Sequence, residues 1–195
     1  IAETTDLPTR FNRTVVTDDQ GRYVVPDLPE ATYDVWVRGY GLVDSAKQQA
    51  SPGARMDMTA VVAPDDQAAA QYFPAGYWYS LLEVPAAGEF PGTGPDGNGI
   101  SENMRSRAQW LDMTKQGCQL CHQLGNRVTR EITHLSHLQL DSALEAWDHR
   151  VQVGVRGGTM STFMNRFGRQ AGLEMYADWT DRIMAGETPD APPRP

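Results

Sequence analysis

Residues 118–122 of this chain are Cys118-Gln119-Leu120-Cys121-His122, a C-x-x-C-H motif. Two thiols at this spacing lie about one helical turn apart, so that each can form a thioether with one vinyl group of the same haem. The histidine that follows is then held beneath the iron as its proximal ligand. The motif therefore predicts one covalently attached haem c, bound by Cys118, Cys121 and His122.

Two other uses of a C-x-x-C pair are less well supported. A thioredoxin-like redox pair would follow a strand, whereas Gly117 is expected to end a helix. A zinc site would need a second pair of ligands, and the histidine spacing does not clearly supply one. Since Cys118 and Cys121 are the only cysteines of the chain, a disulfide framework is excluded as the basis of the fold.

Three helices are predicted around the motif. The first spans Glu102–Gln116 and ends at Gly117. The second begins at the capping box of residues 142–145, Ser-Ala-Leu-Glu, and the third ends at Gly186. The apolar stripes of the second and third helices are predicted to contain Leu144, Trp147, Val151 and Val155, and Leu173, Tyr176, Thr180 and Ile183.

With a helix before the motif, a middle helix and a terminal helix, residues 101–186 resemble the single-haem class I cytochrome c domain. The resemblance implies an all-α domain that transfers electrons. In this family the distal ligand is usually a methionine between the middle and terminal helices, and Gly157-Gly158-Thr159-Met160 stands there in a predicted glycine-rich turn. Met160 is the expected distal ligand, although Ser161 replaces the proline that often follows. The alternatives are an open site, Met164, Met175, His134, His137 or His149.

The predicted ligand pair determines the chemistry of the iron. Methionine and histidine together raise the reduction potential relative to two histidines and leave no open position for oxygen chemistry. The haem propionates would need cationic or hydrogen-bonding partners. Four arginines are candidates for this role: Arg127, Arg150, Arg156 and Arg166.

The first third of the chain has the chemistry of β-strands. Thr14–Thr17 and Arg22–Val25 flank a turn at residues 18–21 and predict a hairpin. Tyr33–Arg38 and Met56–Val62 alternate apolar and polar residues, as half-buried strands do. Several short strands at regular spacing predict a β-sandwich.

The pattern Thr17-Asp18-Asp19-Gln20-Gly21-Arg22-Tyr23-Val24-Val25-Pro26-Asp27-Leu28-Pro29, followed by Tyr33-Asp34-Val35-Trp36-Val37, resembles the carboxypeptidase regulatory-like (transthyretin-like) module. That family normally opens with two strands before this pattern, and only the end of one precedes it here. Residues 1–63 are therefore expected to be an N-terminally incomplete β-sandwich. Because the family carries no catalytic residues on this pattern, the resemblance implies a structural or docking role.

Two further segments complete the predicted organisation. Residues 64–100 are expected to be an aromatic and proline-rich connector with Trp78 in the interface between the domains, or alternatively an exposed patch for a partner. Within it, Asp96-Gly97-Asn98-Gly99 resembles the start of a calcium loop, but Arg107 stands where the last acidic ligand would be, which favours a plain turn. Residues 187–195 are expected to be a proline-rich linker or tail, and both ends are expected to fit a fragment.

The composition of the chain argues against several classes of function. The 195 residues carry a formal net charge of −8, which argues against non-specific nucleic-acid binding and against a polybasic membrane-surface role. No apolar run is long enough to form a transmembrane segment. The predicted fold class is α+β with two domains, a small β-sandwich followed by an all-α cytochrome c-like domain.

The expected function is electron transfer by a single-haem c-type cytochrome, with no catalytic residues of its own. Haem c is attached outside the cytoplasmic membrane, so the resemblance implies a periplasmic or otherwise exported protein. The arrangement resembles bacterial multidomain proteins in which a β-propeller follows the cytochrome, and the partner would be a redox protein or an adjacent catalytic domain. The alternatives are a haem enzyme or gas sensor with an open sixth position, and a scaffold or adhesion protein whose β module binds a partner.

Overall fold

The computed structural model describes residues 1–190, apart from the side chain of Thr133, and combines short antiparallel strands with several helices. This composition agrees with the predicted α+β class in its coarse form. Internal contacts divide the chain into two compact units, residues 1–72 and the residues from Phe73 onward. None of the described helices is long and apolar enough to cross a membrane. The predicted tail lies outside the described residues from position 191.

The first unit contains the strands of the described chain, which are β1 (Ala2–Thr4), β2 (Phe11–Arg13), β3 (Tyr33–Val35), β4 (Leu42–Val43), β5 (Gln48–Ala50) and β6 (Val61–Val62). The larger sheet is antiparallel with the order β2-β1-β3-β5, and a smaller sheet pairs β4 with β6. In the larger sheet, Ala2 lies opposite Arg13 on one side and Val35 on the other. A short helix, α1 (Asp66–Ala70), ends the unit.

The core of the first unit forms on one face of the larger sheet. Successive residues of a strand point to opposite faces, so Tyr33 and Val35 share a face, and Ala2 of the neighbouring strand joins them. The buried Tyr33 donates its hydroxyl hydrogen bond to the Pro29 carbonyl at 2.9 Å. Partly buried apolar side chains pack against this centre, namely Phe11, Val25, Leu28, Ala31, Ala50 and Met56.

The hairpin predicted over residues 14–25 is wrong, although its turn is present. Gly21 donates its amide hydrogen bond to the Asp18 carbonyl at 2.9 Å and has the positive φ expected of this glycine. The residues on either side of the turn form no strand, and β2, which pairs with β1, ends at Arg13 before the predicted hairpin. Val16 and Val24, the apolar residues of the predicted ladder, are 91% and 78% exposed.

The other predicted strands are shorter than expected. The strand predicted over Tyr33–Arg38 ends at Val35, and the one predicted over Met56–Val62 is reduced to β6. The Met56 carbonyl accepts a hydrogen bond from the Tyr23 hydroxyl at 3.0 Å, so a side chain takes the place of a strand partner. The alternation of apolar and polar residues thus predicted longer strands in this unit than the structure has.

The second unit is helical over its described residues. Its α-helices are α2 (Ala75–Tyr79), α3 (Arg107–Met113), α4 (Arg127–Glu131), α5 (Ala143–Arg150), α6 (Gly157–Phe167) and α7 (Arg169–Met184). Short 3-10 helices cover Ala87–Glu89 and Thr133–Leu138, and a π-helical stretch at Thr114–Gln119, the π-segment, continues α3. Helix α7 packs against α4, α5 and α6, and its predicted stripe of Leu173, Tyr176, Thr180 and Ile183 is buried.

The first predicted helix is wrong at both ends. It starts at Arg107, where Ser106 caps it by accepting a hydrogen bond from the Gln109 amide at 3.2 Å. It does not stop at Gly117, because the π-segment carries the helical path on to Gln119. Gly117 packs tightly against Phe163, so glycine is needed here for close approach and not to end a helix.

The middle and terminal helices agree more closely with the prediction. Ser142 caps α5 by accepting a hydrogen bond from the Glu145 amide at 3.1 Å, while Glu145 accepts one from the Asp141 amide at 2.9 Å. Helix α5 ends at Arg150, so Val155 lies beyond it and is fully exposed, contrary to its predicted place in the stripe.

The predicted glycine-rich turn before Met160 is wrong, because this stretch is the first turn of α6. The side chains of Met160, Met164 and Phe167 follow the spacing of one helix face. A side chain at Gly157 would collide with the Gln152 carbonyl, so this glycine permits the close entry of the chain into α6.

The predicted connector contains structure of its own, in α1 and α2. Trp78 is 1% exposed, and its described contacts lie inside the second unit. Its carbonyl accepts a hydrogen bond from the indole of Trp179 at 3.0 Å, and the guanidinium of Arg130 lies 3.9 Å from its ring centre. The segment at residues 96–99 is a turn in which Asn98 accepts a hydrogen bond from the Thr93 amide at 3.0 Å.

Candidate functional site

A cavity in the second unit brings together residues that are far apart in the sequence. Its volume is about 290 Å³, and it is partly open to solvent. This volume lies at the lower limit of the range of roughly 300–1,000 Å³ that is usual for small-molecule and cofactor sites. Cys118, His122, Met160 and Met164 all line it. Its largely apolar wall includes Leu124, Val128, Ile132, Trp147, Val151 and Tyr176.

The C-x-x-C-H motif forms a helical turn at the end of the π-segment. The amides of Cys121 and His122 both donate hydrogen bonds to the Cys118 carbonyl, at 3.3 and 3.0 Å. Cys118 is partly buried and faces the cavity, whereas Cys121 is exposed and lines an adjacent groove. His122 lines both spaces.

Local packing accounts for the position of the motif. The Thr114 hydroxyl, fully buried, donates a hydrogen bond to the Trp110 carbonyl one turn earlier at 3.0 Å. The backbone carbonyl therefore has a side-chain partner where the α-helix gives way to the wider π-segment. The π-segment then places Gly117 and Cys118 in the cavity wall.

The two cavity methionines differ in their surroundings. Met164 is 2% exposed and packs so closely on α7 that a methyl group at Gly172 would lie 3.3 Å from its sulphur. Met160 is half-buried, and its sulphur lies 4.0 Å from Nη1 of Arg150. Of the two cavity methionines, only Met160 therefore has its sulphur outside a tight contact between helices.

The remaining candidate distal ligands do not line the cavity. The Met175 sulphur accepts a hydrogen bond from the Trp110 indole at 3.2 Å in the helical core. His134 and His137 are exposed, and His149 is half-buried away from the cavity lining. Methionine sulphur is thus the distal donor that this wall can offer.

Two of the four candidate arginines line the cavity, Arg127 and Arg150, and Arg156 and Arg166 do not. Arg127 pairs with Glu131, its Nε lying 2.9 Å from Oε2. Arg150 forms no ion pair with any residue that the structure describes. A cation without a counter-charge on a cavity wall favours an anionic group on whatever occupies that cavity.

Burial governs the ionisation of the site. It raises the pKa of the Cys118 thiol, an effect that the neighbouring Tyr176 hydroxyl opposes. Burial, followed by the charge of Arg150, lowers the pKa of His122. The imidazole is therefore neutral at neutral pH, with a lone pair free for a metal ion.

The buried hydroxyl of Tyr176 indicates how well the cavity suits a bound group. Its hydroxyl is fully buried beside the Cys118 thiol, which is only a weak hydrogen-bond partner, and burial raises its pKa well above the ordinary value. A buried hydroxyl with so weak a partner is destabilising, so an occupant of the cavity that accepted its hydrogen bond would stabilise the site. An apolar wall with sulphur and imidazole donors and an arginine without an ion pair suits haem c, whereas Cys121, the second predicted thioether residue, lies in the adjacent groove and not in the cavity wall.

The geometry does not support a zinc site or a thioredoxin-like redox pair at the two cysteines. No group of three or more histidine, cysteine or acidic side chains among residues 1–190 could hold a metal ion, so a zinc site has no further ligands. The two cysteines follow a helix and not a strand.

Sequence reasoning missed three residues of the site. Tyr176 was expected only as a stripe residue, and Trp147 likewise, yet both line the cavity and stack with ring centres 4.8 Å apart. Phe163 was not singled out, because only the fold reveals its contact with Gly117.

No family model matches the chain, and no curated protein or solved structure gives a significant match. The features of this chain that bear on function are therefore the motif and the cavity into which the motif is built.

Proposed function

We propose that the chain is a single-haem c-type cytochrome that transfers electrons. The observation that carries this proposal is the cavity shared by Cys118, His122 and Met160, three residues that the motif and its resemblance to class I cytochromes c singled out. In this proposal, Cys118 and Cys121 would form the thioethers, and His122 and Met160 would ligate the iron. When bound, the haem would gain and lose one electron at its iron.

The residues of the chain would each do part of this work. The neutral imidazole of His122 supplies a nitrogen ligand without first losing a proton. Trp147, Val151 and Leu124 are buried in the wall and would exclude water from the iron. A methionine and histidine pair in such an apolar site favours a high reduction potential.

The choice of Met160 over Met164 is supported by packing. Using Met164 as a ligand would require its sulphur to leave the contact with Gly172 between α6 and α7. Met160 would only have to turn away from the guanidinium of Arg150. In the same proposal, Arg150 pairs with a haem propionate, which would give it the counter-charge that the described protein does not provide.

We further propose that the first unit is a transthyretin-like β-sandwich with a docking role. Its two antiparallel sheets and the apolar core on one face of the larger sheet support this. The protein would act outside the cytoplasmic membrane within a larger redox protein or complex, with a redox protein or an adjacent catalytic domain as the electron partner. These statements depend on the resemblances and on the chemistry of haem c attachment.

The test is to produce the chain with an export signal in cells that attach haem c. We expect an intact mass equal to the chain plus one haem, and a ferric spectrum with the weak far-red band of methionine ligation. The matched control is the Cys118→Ser/Cys121→Ser variant, which should have the mass of the bare chain. A bare chain in both samples would refute the proposal. Covalent haem without the far-red band, and with rapid CO binding, would favour the enzyme or gas-sensor alternative.

A further inference from the structure

Gly117, the residue directly before the motif, packs against the ring of Phe163. A methyl group at the Cβ position of Gly117 would lie 2.6 Å from Cδ1 of Phe163, 2.9 Å from Cγ and 3.0 Å from Cε1. Carbon atoms in good contact are about 3.5–4.0 Å apart. The side chain of any other residue at position 117 would therefore displace the ring, the backbone or both.

The ring is enclosed on part of its surface. Phe163 is half-buried, and the guanidinium of Arg166 lies over it, 5.3 Å from the ring centre. Helix α6 is itself held against α7, where a methyl group at Gly172 would lie 3.1 Å from Cβ of Phe167. A group added at Gly117 would thus strain the contact between the π-segment and α6.

This contact joins the segment that leads into His122 to the helix that carries Met160, the two proposed iron ligands. The π-segment leads through Cys118 directly into His122. Helix α6 carries Met160 less than one turn before Phe163. The π-segment and α6 pack together, and Gly117 itself lines the cavity between them.

We infer that Gly117 and Phe163 are positioning residues that set the separation between the motif and α6. This inference rests on the proposed function. With glycine at 117, the ring seats against the backbone and holds the Met160 sulphur within reach of the iron that His122 binds. A larger residue would widen the separation, and the sulphur would yield its place more readily to an added ligand.

The experiment compares holoprotein variants by their affinity for imidazole, which competes with the methionine sulphur for ferric iron. Gly117→Ala should bind imidazole roughly tenfold or more tightly than the wild type, as expected when overpacking strain is relieved by loss of the sulphur ligand. The matched control is Gly158→Ala on α6, because a Cβ there meets no atom within 4 Å. Its affinity should equal that of the wild type.

A compensating variant tests whether the effect acts through the ring. Gly117→Ala/Phe163→Leu removes part of the ring as the methyl group is added, and should return the affinity towards the wild-type value. If Gly117→Ala does not accumulate, Phe163→Leu alone is measured, and it should bind imidazole more tightly because the ring no longer fixes the separation that suits the sulphur.

The outcomes separate this inference from the function on which it rests. A wild type without covalent haem would refute the proposed function itself. Haem-loaded, methionine-ligated variants in which Gly117→Ala matches Gly158→Ala, or in which the compensating variant matches Gly117→Ala, would overturn the positioning role. For the fallback variant, an affinity equal to that of the wild type would do the same.

Discussion

The sulphur atoms of Met160 and Met164 stand one turn apart on α6, yet only one of them is free to change partner. Met164 is enclosed where α6 meets α7, and Met160 faces Arg150 across the cavity. Their positions in the chain are too similar for the sequence to separate them. The difference arises from the packing partner that the fold places beside each one.

Met160→Leu should retain covalent haem and lose the sulphur ligand. Leucine has a similar volume but no donor atom, so the far-red ferric band should vanish and the ferrous protein should bind CO. Met164→Leu is the matched control and should keep the band. Absorption spectra with and without CO measure both variants. If Met164→Leu loses the band and Met160→Leu keeps it, the assignment is reversed.

Tyr176→Phe tests whether the buried hydroxyl has a partner in the loaded protein. If the bound group accepts its hydrogen bond, the substitution should lower the free energy of unfolding of the holoprotein by about 0.5–1.5 kcal/mol. Urea unfolding followed by haem absorbance measures this change. A holoprotein made more stable by phenylalanine would show instead that the hydroxyl stays unpaired.

At the scale of elements, the sequence correctly predicted features that depend on residues close together in the chain. The Ser142 cap and the stripe on α7 were predicted because caps and helical periodicity involve residues only a few positions apart. The C-x-x-C-H motif is local in the same sense. The glycines before Met160 and at position 117 were misinterpreted, because the sequence does not distinguish a glycine that ends a helix from one that permits close packing.

The strands and the other residues of the site could not be predicted from the sequence, because their positions depend on tertiary contacts. Strand β5 is the polar segment Gln48–Ala50, which has no strand signal apart from its neighbour β3. Four arginines were equal candidates for the propionates, and only the fold showed that Arg127 and Arg150 reach the cavity. The cavity role of Tyr176 has no local signature either, since a buried tyrosine on a helix is ordinarily a core residue.

Ser142→Ala should weaken α5 without altering the iron. Loss of the cap leaves the Glu145 amide without its partner and should lower the free energy of unfolding by about 1 kcal/mol. Ser136→Ala, at an exposed serine that caps no helix, is the control. Chemical unfolding gives the stability, and the ferric spectrum should be unchanged in both. An equal stability for the two variants would show that this cap contributes little.

At the scale of the whole molecule, the chain divides into two units with separate cores, and the candidate cofactor site belongs to one of them. A group that binds only the native state stabilises the unit that binds it. Covalent haem should therefore stabilise the helical unit and leave the stability of the β unit to its own sheet and core. Scanning calorimetry of the holoprotein should then resolve two transitions.

The Cys118→Ser/Cys121→Ser variant should lose or lower only one of these transitions. We expect the transition of the second unit to fall by at least about 4 °C, the shift that roughly 1 kcal/mol produces in a unit of this size. The transition of the first unit should stay where it was, because neither its strands nor its core includes a cavity residue. Equal shifts of both transitions, or a single transition in both proteins, would show that the units unfold together and that haem stabilises the chain as a whole.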